Sequence, residues 1–264
     1  MRGVDAADEG PPAERQRGAR GRRAWRALLA AIFPARCVGC DRRAGAFCAA
    51  CWATLPRLRP PLCPRCSRPE RSGTRCRSCR GAAPALQAVR AACGYAGAVR
   101  IAVQRLKYSQ ERHIATPLAT LLLECLASRP LAADGILAVP LDAGRGRERG
   151  YNQAALLAAP VAHTLALPVL SEVLGRTRPT RPQVGLGARE RRANVRGAFA
   201  CLDPAAVAGR RLLVVDDVMT TGATLEACAE ALCAAGAAQV YGLVVARDLP
   251  PEQRGEVPRA PTRS

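Results

Sequence analysis

Residues 214–224, VVDDVMTTGAT, hold the residue types and spacing best suited to chemistry in this chain. Two adjacent carboxylates, Asp216 and Asp217, stand directly before a turn rich in hydroxyls and glycine. An apolar strand, Leu212–Val215, leads into the acids, and the pattern predicts a helix starting near Ala223. Ligands of open α/β sheets bind beyond the carboxyl ends of strands, where this turn lies. Backbone N–H groups at a helix N-terminus cradle a phosphate, and the helix dipole assists. Thr220, Thr221 and Thr224 add hydroxyl donors, and Gly222 permits unusual dihedrals and close approach of the backbone. Two carboxylates beside an anion repel it unless they face hydroxyls or a metal. Ribose hydroxyls and Mg²⁺ meet that requirement. Helix capping accounts for one threonine but not for two acids at a strand end.

Eight of the 13 cysteines form four C-x2-C pairs. The first block is Cys37, Cys40, Cys48 and Cys51; the second is Cys63, Cys66, Cys76 and Cys79. Each C-x2-C turn offers two thiolates to one edge of a metal, and two turns complete a tetrahedron, so two structural Zn²⁺ ions are expected. A filled site of four thiolates leaves no position for water and is not catalytic. Pairing within each block is the simpler arrangement; a cross-braced pairing is the alternative. The other five, Cys93, Cys125, Cys201, Cys228 and Cys233, sit among apolar residues and read as small buried hydrophobes.

Around these sites the chain divides into four stretches. Residues 1–33 read as disordered or as a short amphipathic helix, and 34–80 as a metal-dependent double zinc ribbon too poor in apolar residues to fold alone. Residues 84–248 carry an α/β rhythm, and 249–264 a loose tail. Strands are predicted at Ile136–Pro140, Leu212–Val215 and Val240–Ala246. Helices are predicted at Val99–Lys107, Pro117–Leu126, Asn152–Leu165 and Gly222–Ala235. Strands separated by helices imply a mainly parallel sheet.

The formal charge is +19, from 39 arginines and a single lysine, Lys107, against 21 acids. That balance favours polyanionic partners: nucleotides, pyrophosphate or nucleic acid. A lone lysine in an arginine-biased chain suggests a compact point charge on a phosphate. Arg145, Arg147 and Arg149 follow the Ile136–Pro140 strand. Residues 176–196 contain seven Arg and one Glu, with Pro and Gly at four positions, and read as a basic loop without regular structure. Residues 1–80 hold 18 arginines against six acids, so the module stays basic even with two zinc-tetrathiolate sites at −2 each. No run is long enough for a membrane span. Ala27–Phe33 follows an Arg pair but precedes no small-residue cleavage site, so a cytoplasmic location is expected. His113 and His163 lie near no nucleophile motif, so neither is assigned to a Ser-His-Asp triad.

The acid-acid-Val-x-Thr-Thr-Gly-x-Thr run resembles the loop of type I phosphoribosyltransferases that binds phosphoribosyl pyrophosphate (PRPP). Over roughly residues 33–247 the chain is similar to the ComF family, which includes the ComFC and GntX proteins. The cysteine pairs, Leu106-Lys107-Tyr108, VPLDAGRGRERGYNQ at 139–153 and RPQVGLGARERRANVRGAF at 181–199 carry the likeness. One departure is Asp142, where many relatives carry His. The resemblance implies an α/β, phosphoribosyltransferase-like fold with flanking helices and a small N-terminal zinc module. It implies PRPP held with Mg²⁺ by Asp216, Asp217, Thr220, Thr221, Gly222 and Thr224, with Lys107, Arg145 and Arg149 on the pyrophosphate. If the chain is a transferase, the reaction is pentosyl transfer by displacement at ribose C1, with the 176–196 loop closing over it. The family link is to natural competence and DNA uptake beside a helicase-like partner. The alternative is a non-catalytic adaptor that binds single-stranded DNA and retains the ribose-phosphate pocket.

Overall fold

The computed structural model describes residues 36–80, 84–180, 187–250 and 253. The cysteine-rich segment contains a short α-helix, α1 (Ala49–Ala53), and a 3-10 turn at Arg77–Cys79. The second region runs β1 (Leu86–Gly94), α2 (Gly97–Tyr108), α3 (Ala115–Ser128), β2 (Gly135–Ala138), α4 (Ala143–Arg149), α5 (Gln153–Leu165) and β3 (Leu174–Arg176). It continues through α6 (Ala188–Val195), β4 (Phe199–Cys201), β5 (Arg211–Met219), α7 (Ala223–Ala234) and β6 (Gln239–Arg247). Four strands pair in parallel in the order β1-β6-β5-β2, and β3 and β4 form a separate antiparallel pair.

Alternation along the strands sorts the core into two layers. Leu213, Val215, Leu243 and Val245 pack with α2, α3 and α5. Leu212, Val214, Val240 and Val244 face the opposite way, toward α7 and the β3–β4 pair. A sheet covered on both faces needs nearly continuous apolar strands, which LLVV and VYGLVVA supply.

Several elements differ from what the sequence suggests. β1 is unforeseen because LQAVRAACG is Ala-rich and interrupted by Gln87 and Arg90, whereas the interior strands are plain Val/Leu runs. β5 does not stop before the acids, because β6 continues to pair with it as far as Met219↔Arg247. Helix α6 occupies part of the segment read as an irregular loop. Its run ARERRANV consists mostly of good helix formers, and the Glu190 carboxylate accepts the Gly187 N–H at 2.6 Å. The expectations for residues 1–33 and for most of the 249–264 tail lie outside the described residues, as does 181–186. Leu249 belongs to the core rather than to a tail, packing against Gly94.

The cysteine-rich segment is not an appendage. β1 is an edge strand of the main sheet, and its free edge is covered by this segment. Leu58 N–H donates to Ala92 O at 2.9 Å, and Gly94 N–H to Pro56 O at 2.8 Å. Further along, Val89 N–H donates to Arg65 O at 2.7 Å. The buried Ser67 hydroxyl accepts from Ala91 N–H at 3.2 Å and donates to Val89 O at 2.8 Å. An exposed edge would otherwise present unpaired amides to other chains.

Candidate functional site

The two acids near the end of β5 point to opposite sides of the sheet. Asp217 is only 2% exposed. Its Oδ1 lies 2.6 Å from the Lys107 ammonium, carried by the last turn of α2, while its Oδ2 is buried without a hydrogen-bond partner. Burial alone would lower the Lys107 pKa, but the Asp217 charge outweighs it and the net shift is upward. The sole lysine therefore grips one of the predicted acids near the end of β5.

Asp216 is half-buried and accepts the Asp217 N–H on Oδ1 at 2.8 Å. Burial and the neighbouring Asp217 charge push its carboxyl up to about 7, against the opposing pull of Lys107 and Arg176. Arg176 acts on Asp216 from β3, with its guanidinium 4.9 Å above the Phe199 ring and close to the Thr180 hydroxyl. Arg176 is the first of the seven arginines read as a basic loop, but it stands on a strand, and only the pairing of β3 with β4 brings it to Asp216.

The turn after β5 matches the local expectation. Gly222 is the N-cap of α7 at φ +85°. A Cβ there would lie 2.6 Å from the Met219 methyl, the far end of a flexible side chain that can shift, so it is the left-handed backbone that requires glycine. The Thr221 hydroxyl accepts Ala223 N–H at 3.3 Å, and Thr220 is half-buried beside it. The amides at the start of this 12-residue helix face the space beyond the strand ends, an anion-cradling geometry. Thr224 lies in the first turn of the same helix.

The arginines after β2 lie on α4. Asp142 is its N-cap, accepting Gly144 N–H at 3.1 Å. Arg149 donates to Gln153 Oε1 at 2.9 Å and stacks 5.0 Å over Tyr108, next to Lys107. Arg145 lies on the same helix. The Asn152 amide donates to Val139 O at 2.9 Å and its oxygen caps α5, so Asn152 and Gln153 begin that helix as expected.

Within each cysteine block the four sulfurs lie within 4.8 Å of one another, which selects sequential over cross-braced pairing. Four sulfurs at about 2.3 Å from Zn²⁺ stand about 3.8 Å apart. The Cys40–Cys48 and Cys66–Cys76 sulfur pairs, both at 3.6 Å, fit that edge. Burial alone would raise the Cys37 and Cys63 thiols, but backbone N–H donors outweigh it and lower each to about 7, favouring the thiolate a metal needs. The blocks are structural repeats: Asp41 and Ser67 hold the same positive-φ position, and Arg36↔Arg43 and Leu62↔Pro69 are equivalent bridges. We predict that metal analysis of chelator-free protein gives about two zinc ions per chain. A value near zero with disulfides by mass spectrometry would refute this.

Residues 28–80 match the double zinc ribbon domain family, and residues 153–258 the phosphoribosyl transferase domain family. The DNA utilization protein YhgH of Escherichia coli K12 is 36% identical over 208 residues, covering 76% of this chain and 90% of that protein. Competence protein F of Haemophilus influenzae is 31% identical over 227 residues, covering 80% of this chain and 97% of that protein. This chain belongs to the ComF family. Among solved structures, a glutamine PRPP amidotransferase from B. subtilis aligns at TM-score 0.34 and 21% identity, over 49% of the ComF-family chain and 26% of its own. The ComF-family protein thus joins a phosphoribosyltransferase-like α/β fold to a zinc module that covers the free edge of its sheet. Among the described residues no helix is long and apolar enough to cross a membrane.

Proposed function

We propose that this ComF-family protein binds PRPP with Mg²⁺ at the Asp216–Thr224 loop, in the reducing cytoplasm. The observation that carries the reading is the handover at Gly222. Two carboxylates stand near the end of β5, and three residues beyond the strand a left-handed glycine opens the N-terminus of a long helix. The Thr221 and Gly222 amides are offered to the 5′-phosphate, beside the Ala223 N–H held by the Thr221 hydroxyl. Asp216 and Asp217 flank the end of β5 from its two sides and would take the ribose hydroxyls and the metal between them, with Lys107 holding Asp217 in place. Arg145 and Arg149, carried by α4, are the residues proposed for the pyrophosphate. Mg²⁺, when bound, supplies charge neutralisation to the pyrophosphate and would be held by the acid pair. If transfer occurs, an acceptor attacks ribose C1, the new bond forms there, and the C1–oxygen bond breaks to release pyrophosphate. Calorimetry with PRPP, with and without Mg²⁺, tests the reading. One-to-one binding strengthened by Mg²⁺ supports it, and absence of binding in the presence of Mg²⁺ sinks it.

Two variants probe the same loop. Gly222→Ala must hold a Cβ at φ +85° against Met219. It is predicted to cost about 1–2 kcal/mol of stability and to weaken PRPP about tenfold or more. Normal affinity in calorimetry would remove the turn from the site. Asp216→Asn tests the strained carboxyl. The folded pKa of about 7 lies above the unfolded value, so the folded state is penalised as pH rises through 7. The variant is therefore expected to gain stability over the parent at pH 8, on the order of 1 kcal/mol or more, and to show little gain at pH 4. Denaturant titrations at both values check this; an equal effect at each would show that Asp216 is not strained.

A second reading rests on the relatives' names and on the basic charge. In it the protein is a DNA-handling adaptor that works with a helicase-like partner and keeps the pocket without transferring a pentose. Strand binding through many phosphates weakens steeply with salt, whereas binding in a closed pocket changes less, and that contrast separates the two.

A further inference from the structure

We propose that the ribose-phosphate pocket and the cleft beside it form one site for the 3′ end of a single polynucleotide strand. The inference rests on the reading of the Asp216–Thr224 loop given above. The cleft encloses about 920 Å³ between the second cysteine block, α6 and the flank of α7. Arg65, Arg68, Arg189, Arg192, Arg196 and Arg247 line it, against two carboxylates, Glu226 and Glu230. Glu226 is already engaged, lying 3.4 Å from Arg65 and accepting Leu86 N–H at 3.3 Å. A zinc-tetrathiolate site at −2 behind the wall still leaves an excess of positive charge.

Arg247 shows that this charge is built in rather than scattered on the surface. It is 3% exposed, donates to Cys66 O at 2.7 Å, and its Nε has no hydrogen-bond partner. Arg68 Nε, at the same wall, is also buried without a partner. Placing several guanidiniums together is unfavourable unless an anion joins them.

Continuity with the pocket supplies the polarity. Thr221, Gly222 and Ala223 line the cleft and also form the phosphate turn. In PRPP the 5′-phosphate at that turn is a terminal monoester. In a strand the same phosphate is a diester whose second bond leads to the preceding nucleotide. A ribose whose 3′-hydroxyl end sits at the acid pair therefore continues only through its 5′-phosphate, into the arginine cleft. The seated nucleotide must be the 3′-terminal one. Among the described residues the cleft is lined by no aromatic side chain, and its apolar wall includes Leu86, Val89, Val195 and Met219, so recognition is by phosphate and independent of base.

The test uses the full zinc-loaded chain and short fluorescent deoxythymidylate strands. One ends in a 3′-hydroxyl, one in a single 3′-ribonucleotide, one in a 3′-phosphate, and one is circular. The 3′-ribonucleotide strand is expected to bind best, because its second hydroxyl offers the acid pair another donor. The 3′-phosphate and circular strands are expected to bind about tenfold or more weakly than the 3′-hydroxyl strand. Ribose 5-phosphate should displace the hydroxyl-ended strands. Arg192→Glu with Arg196→Glu should abolish strand binding and leave ribose 5-phosphate binding intact. Equal affinity for circular and 3′-hydroxyl strands, or no competition by ribose 5-phosphate, overturns the proposal. If ribose 5-phosphate binds by calorimetry while strands show no end preference, this inference fails and the pocket reading stands. If ribose 5-phosphate does not bind at all, both fail.

Discussion

Cys63→Ser is expected to release one of the two zinc ions and to lower the stability of the whole chain, not of the ribbon alone. From the sequence, a ribbon poor in apolar residues next to an α/β domain suggests a separable module, whose loss leaves the domain folded. The structure reverses this. The second cysteine block belongs to the same apolar cluster as Leu86, Val89, Leu225 and Val244. Ser67, one residue past Cys66, bonds to Val89 and Ala91 and accepts from Arg129 at 2.8 Å. Arg247, at the end of β6, relies on Cys66 O. Without the ribbon, the β1 edge loses its partners and a buried guanidinium loses its acceptor. Structural zinc contributes roughly 10 kcal/mol or more to folding a small module. The expected loss for the whole chain is above ~3 kcal/mol, through the orphaned polar groups. Differential scanning calorimetry with zinc release measured in parallel checks this. Cys37→Ser is the control: its sulfurs form a cluster of their own, so the second zinc should be retained. A Cys63→Ser domain that melts like the parent would show that the ribbon is an appendage after all.

Asp217→Asn is expected to weaken PRPP binding about tenfold or more and also to destabilise the fold. The sequence view of two acids at an open strand end implies an unchanged melting temperature. Burial overturns that view, because Asp217 is 2% exposed and holds Lys107 at 2.6 Å. Removing the carboxylate charge leaves a largely buried ammonium without its counter-ion. Breaking a buried pair costs about 3–5 kcal/mol. Lys107 keeps 21% of its side chain exposed, which lets water take part of the charge, so about 2–3 kcal/mol is expected here. Adding Lys107→Met should recover part of the loss, because the stranded charge is gone. Denaturant unfolding of both single variants and the double variant measures the coupling. Strict additivity would sink the idea that the pair acts as a unit.

What the sequence determined by itself is what depends on neighbours along the chain. A C-x2-C turn sets two sulfurs on one metal edge wherever it occurs, so the two clusters were legible from spacing. VVDDVMTTGAT is likewise a local device: the apolar run makes the strand, Gly222 supplies the left-handed N-cap, and α7 begins at Ala223 as expected. Asn152 capping α5 follows the same logic. Tertiary structure decided everything that depends on which surface arrives from elsewhere. LQAVRAACG becomes a strand because β6 pairs with one edge and the ribbon covers the other. Lys107 meets Asp217 only because α2 packs beside the end of β5, and Arg176 acts on Asp216 only through the β3–β4 pair. Burial and charge pairing are properties of that packing rather than of local spacing, so the acids were readable as a site, but their partners and their load on the fold were not.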